Sequence, residues 1–68
     1  MFLKYTSVNG RKFRLHPRQI GAWVSEGSGT RIYASIAGMP VTFVVAKPVE
    51  TIDDEIEKSH LEEQEQSG

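Results

Sequence analysis

From Phe2 to Lys47 apolar and polar positions alternate, the period-two signature of half-buried strands. Leu3 and Tyr5 alternate within a first run, Phe2 to Ser7, and Phe13 and Leu15 within a second, Arg11 to His16. Asn9-Gly10 lies between them, a strong hairpin signal. Side-chain parity chooses the turn. A two-residue loop would set Thr6 against Phe13 and Lys4 against Leu15, mixing polar and apolar groups on one face. A three-residue loop, Val8-Asn9-Gly10, sets Ser7 opposite Arg11, Tyr5 opposite Phe13 and Leu3 opposite Leu15, so the four apolar side chains share a face. Gly10 is then expected as the left-handed residue of a G1 bulge. Pro17 has no N–H to donate, so the second strand stops there or lies on an edge.

The alternation resumes at Ile20, Ala22 and Val24, turns at Gly27-Ser28-Gly29, and continues through Ile32, Ala34 and Ile36. Read as a three-residue loop, Gly27-Ser28-Gly29 predicts Val24 opposite Ile32, Ala22 opposite Ala34 and Ile20 opposite Ile36. After Ala37-Gly38-Met39-Pro40, a fifth run sets Val41, Phe43 and Val45 beside Ile36, Ala34 and Ile32. Five short antiparallel strands in meander order, as a sheet or small open barrel, is the simplest topology. The core is expected to gather Leu3, Tyr5, Phe13, Leu15, Ile32 and Phe43. Beyond Pro48 the period becomes helical: Val49, Ile52 and Ile56 fall at i, i+3 and i+7 with acids around them. Pro48 suits the start of a helix, and acids from Glu50 onward favour its positive end. The helix is expected from about Val49 to about Ser59 or a little further. The fold class is therefore mostly β (α+β): one domain over residues 1–59 with a C-terminal amphipathic helix, then a flexible acidic tail over 60–68.

Size and charge narrow this picture. Sixty-eight residues allow one domain with a modest core. The absence of Cys excludes disulfides and thiolate metal sites. No secretory signal and no run of membrane-spanning length is visible, so a cytoplasmic location is expected. The net charge of -1 conceals an asymmetry. Residues 1–47 carry seven basic residues and one acid, Glu26, for +6, while residues 48–68 carry eight acids and Lys58, for -7. A basic body with an acidic end hints at a polyanion or an interaction tail.

Two stretches, Val8-Asn9-Gly10-Arg11-Lys12-Phe13-Arg14-Leu15-His16-Pro17 and Phe43-Val44-Val45-Ala46-Lys47-Pro48-Val49-Glu50, resemble the FlbD-like (SwrD) family of small bacterial proteins found with flagellar genes. That family shows an Asn-Gly turn, an aromatic-x-Leu strand ending at Pro, and a Val-rich run into a helix. The segment Gly21 to Met39 is longer and richer in Gly than the family pattern, and the acidic tail is extra; a phage-encoded relative with the same sheet is an alternative setting. The resemblance implies a cytoplasmic accessory or regulatory protein acting through contacts, with no catalytic residues to carry over.

The residues themselves point the same way. There is no Cys nucleophile, and neither His has an evident base partner in sequence. His16 reads as an outward strand residue and His60 as a helix-end cation. Asp53-Asp54-Glu55 occupy consecutive helix positions that point apart, without a ligand loop, so they read as a solvated face. Gly27-Ser28-Gly29 precedes no helix and no Lys-Ser/Thr, so it reads as a hairpin tip and not a phosphate loop. No catalytic residue, cofactor or metal is expected, and the protein is read as a non-enzyme. The feature that remains is the outer face of the sheet. In the register above it carries Lys4, Lys12, Arg14, His16, Trp23, Arg31 and Tyr33. Aromatics interleaved with cations suit protein contact or self-association, with Trp23 and Tyr33 as anchors. Ordinary solubility and edge protection explain the same pattern and rank second. Binding of nucleic acid or a nucleotide phosphate ranks third.

Overall fold

The computed structural model describes the backbone of residues 2–67 and the side chains of residues 2–61. Five strands, β1 (Leu3–Thr6), β2 (Lys12–Leu15), β3 (Ile20–Glu26), β4 (Gly29–Ile36) and β5 (Met39–Val45), precede one helix, α1 (Val49–Ser67). The first hairpin has the expected register: Leu3 pairs with Leu15, Tyr5 with Phe13, and Ser7 N–H donates to the Arg11 carbonyl at 2.8 Å. Gly10 sits at φ +89°, and its N–H donates to the Ser7 carbonyl, closing the turn. Ser7 Oγ also accepts from the Arg11 N–H at 3.1 Å and donates to Asn9 Oδ1, which braces the turn from inside.

The strands do not form one meander. They make a two-stranded ribbon, β1-β2, and a three-stranded sheet, β3-β4-β5. The two meet where Ser7 bridges Val45 and the Val8 N–H donates to the Val44 carbonyl at 2.8 Å. β1 thus adjoins β5, and β2 is not followed by β3 in the sheet. The cause is a 3-10 turn over Pro17–Gln19. His16 caps it: its Nδ1 accepts from the Arg18 N–H at 3.3 Å, and Gln19 Oε1 accepts from the His16 N–H at 2.7 Å. With Pro17 buried at the first position of the turn, the chain leaves β2 by a capped corner where a hairpin would have been needed.

Two registers differ from expectation. Trp23, not Val24, lies opposite Ile32, and Glu26 pairs with Gly29. The loop is the two residues Gly27-Ser28, with Gly27 at φ +60°, the Gly-first pattern of a II′ turn. Gly29 belongs to the strand: a Cβ there would collide with the Val45 carbonyl, so only Gly lets β4 and β5 approach. An irregularity between Ile20 and Ala22 then brings Ile20 opposite Ala34. The last hairpin also has a two-residue loop, Ala37-Gly38, both at positive φ. Ile36 pairs with Met39, Ala34 with Val41 and Ile32 with Phe43. This is a slip of two residues from the expected pairing, so Val41, Phe43 and Val45 keep their faces.

The core is Leu3, Tyr5, Leu15, Ile32, Ala34, Phe43 and Val45 from the strands with Ile52 and Ile56 from the helix. Phe13 is only half-buried, but stacks on Phe43 with centroids 4.1 Å apart and planes 10° from parallel. Ile52, Ile56 and Ser59 form the buried stripe of α1. The helix begins at Val49 as expected and runs on to Ser67, past the expected stop near Ser59. Backbone from His60 to Ser67, expected as flexible tail, is therefore helical; Gly68 and the side chains beyond Leu61 lie outside the described residues.

Candidate functional site

The outer face of the β1-β2 ribbon gathers three of the sequence-derived site residues. Lys4 stands directly across from Arg14, and Lys12 across from Thr6, all exposed. They border a shallow depression of about 290 Å³. Arg11 at the turn has the opposite parity and lies apart from this strip, its guanidinium carbon 5.9 Å from the ring centroid of Phe13. Like charges directly opposite one another on a ribbon cost stability unless something anionic joins them. Phe2 and Val8, 62% and 67% exposed, flank β1 at its two ends, so the cationic strip has apolar margins.

The other candidates are placed differently. Arg31 points outward on β4, but its Nε and Nη2 donate to the two carboxylate oxygens of Glu26 at 2.8 and 2.9 Å, and its Nη1 to Thr42 Oγ1 at 3.3 Å. The bidentate bond holds the Glu26 carboxyl below its usual range and raises the Arg31 guanidinium. Arg31 is thus a compensated charge, fixed by the one acid of residues 1–47. Tyr33 is outward and 44% exposed, across from Ala22 and Thr42. His16 is a capping residue and not an outward strand position; its ring meets that of Phe2 edge-on at 6.0 Å.

Trp23 does not share the cationic face. The one-residue register change turns it inward, where it packs on the core and its Nε1 donates to Asp53 Oδ1 at 2.5 Å. It forms one wall of a groove of about 360 Å³ between β3 and α1, with Asp53, Ile56, Glu57, His60 and Leu61. Asp53-Asp54-Glu55 fan out as consecutive helix positions must: Asp53 toward Trp23, Glu55 toward Lys47 Nζ at 2.8 Å.

Sequence reasoning missed a polar cluster under the helix. Lys47 Nζ lies 5.7 Å from the Tyr5 ring centroid while pairing with Glu55 Oε2. Tyr5 Oη and Glu55 Oε1 are buried, and neither makes a hydrogen bond of good geometry. Burial pushes the Tyr5 phenol up, and the facing Glu55 carboxylate adds to the shift. A Tyr in a core position paired with a Glu midway along an apolar helix stripe was the available signal. Among the described residues no three His, Asp or Glu side chains are grouped to hold a metal ion, and no helix is long and apolar enough to cross a membrane. Comparison with protein-family models, curated proteins and solved structures finds no match to this chain.

Proposed function

We propose that this chain is a non-catalytic protein-interaction module of the FlbD-like kind, acting in the cytoplasm by binding an acidic segment of a partner protein or by self-association. The observation that carries the reading is the β1-β2 ribbon. Lys4, Lys12 and Arg14 are exposed with Lys4 directly opposite Arg14, and exposed Phe2 and Val8 flank the strip. A strip of cations with apolar margins complements an acidic, partly apolar polypeptide better than a bare phosphate backbone. The placement of Trp23 on the other side removes one of the two aromatics, Trp23 and Tyr33, that a single-stranded nucleic acid would stack on.

The test compares a labelled acidic peptide containing Leu and Phe with a labelled single-stranded DNA of equal charge, by fluorescence anisotropy at low and physiological salt. The peptide is expected to bind, to keep most of its affinity at physiological salt, and to lose it with Arg14→Glu and with Val8→Ala. Tighter binding of the DNA, with an affinity that falls steeply with salt, would replace this reading with polyanion binding.

A further inference from the structure

We propose that the free edge of β3 pairs with the same edge of a second copy, antiparallel about a two-fold axis at Trp23, joining two three-stranded sheets into one. This deepens the self-association branch of the proposed function and rests on the protein acting through contacts.

The hydrogen-bonding pattern fixes what the edge needs. β3 and β4 are joined by a two-residue turn, so the closing pair Glu26–Gly29 exchanges both backbone bonds. Alternate residues follow: Glu26, Val24 and Ala22 turn their backbone groups toward β4, while Ser25 and Trp23 turn theirs away. Among the described residues no strand lies on that side of β3. Water can solvate such a row of groups in the single chain, and an extended strand can replace that water along the whole row.

The two free edges contrast. β2 is four residues long and carries Lys12 and Arg14, the usual protection of an exposed edge. β3 is seven residues long, has no Lys and no Pro, and bears one charge, Glu26, at its end. That charge is already paired with Arg31.

Self-complementarity names the occupant. With Trp23 opposite its own copy, Ala22 of each chain falls opposite Val24 of the other, and Glu26, the one charge of the strand, falls at the irregularity between Ile20 and Ala22, so no like charges meet. On the outer face Ala22 and Val24, the latter 46% exposed, cover one another. On the inner face the two indoles become a cross-strand pair, each at the mouth of its groove beside Leu61, itself 54% exposed. Around Trp23 both faces of the joined sheet match apolar to apolar, as an isologous interface requires.

Sedimentation equilibrium of the full chain tests this with two variants. Ser25→Pro removes an N–H that points away from β4 and leaves the β3-β4 ladder intact. Val24→Lys places a charge on the outer face at the centre of the contact. The wild type is expected to be a dimer at high micromolar concentration, and each variant to weaken dimerisation by about tenfold or more while keeping its circular dichroism spectrum. A wild type that stays monomeric up to millimolar concentration overturns the proposal, as does a dimer that both folded variants leave unchanged. The outcomes are separable from those of the ribbon: Arg14→Glu should abolish peptide binding and leave the dimer intact, and a monomer that still binds the peptide sinks only the edge pairing.

Discussion

Ala37 sits at φ 53°, in the left-handed region where a Cβ is disfavoured, because the β4-β5 turn needs positive φ at both central positions. Ala37→Asn would create the Asn-Gly pair such turns prefer and should stabilise the fold by about 1 kcal/mol. Thermal denaturation would show it as a rise of about 4–8 °C. Tyr5 offers a test through pH. Its phenol is raised in the folded protein, so the unfolded chain loses that proton first, above its ordinary pKa of 10.0. The contribution is complete below pH 10 and is lost as pH rises toward the folded value, by at most about 1.4 kcal/mol per pH unit. Tyr5→Phe should flatten that alkaline decline in denaturant titrations. Near neutral pH it should leave stability within about 1 kcal/mol, since the hydroxyl it deletes makes no good hydrogen bond.

At the level of elements, the described residues hold α1 to the sheet through a short buried stripe and the Trp23–Asp53 hydrogen bond. Among the described residues, Ile52 and Ile56 are its fully buried apolar side chains, at 0% and 2% exposure. Ile56→Ala should cost about 2–5 kcal/mol, a large part of what a domain of this size has, and should be read as lost helical dichroism at ambient temperature. Gly29→Ala should be damaging too, by about 1–3 kcal/mol in urea titrations, because the added methyl meets the Val45 carbonyl. These positions show what was legible in the sequence. The stripe Val49, Ile52, Ile56 and the bulged turn at Gly10 were visible because parity left one answer. The β3-β4 register was not. Gly27 and Gly29 look alike in sequence, yet one supplies φ +60° to a turn and the other makes room between strands. Choosing the longer loop moved Trp23 to the wrong face. Lys4, Lys12 and Arg14 were placed correctly because they lie on the hairpin whose register was read correctly, while the neutralisation of Arg31 depends on a rotamer of Glu26 that no pattern announces.

Across the whole molecule, charge is divided along the chain: +6 in residues 1–47 and -7 in residues 48–68. A chain ending at Ser59 keeps all eight cations and loses three of nine acids, moving from -1 to +2. Its affinity for the acidic peptide should rise, most clearly at low salt, as measured by anisotropy. An unchanged affinity would mean that the acidic end does not compete for the ribbon. The seam between ribbon and sheet has a further consequence. Among the described residues one bridge, Ser7 to Val45, and one bond, Val8 to Val44, join the backbones there, whereas β4 is hydrogen-bonded along its length on both sides. Deuterium should therefore enter the molecule in two waves: first at Lys4 to Arg14, as the ribbon swings open and unstacks Phe13 from Phe43, and only later, with global unfolding, at Ile32 and its neighbours.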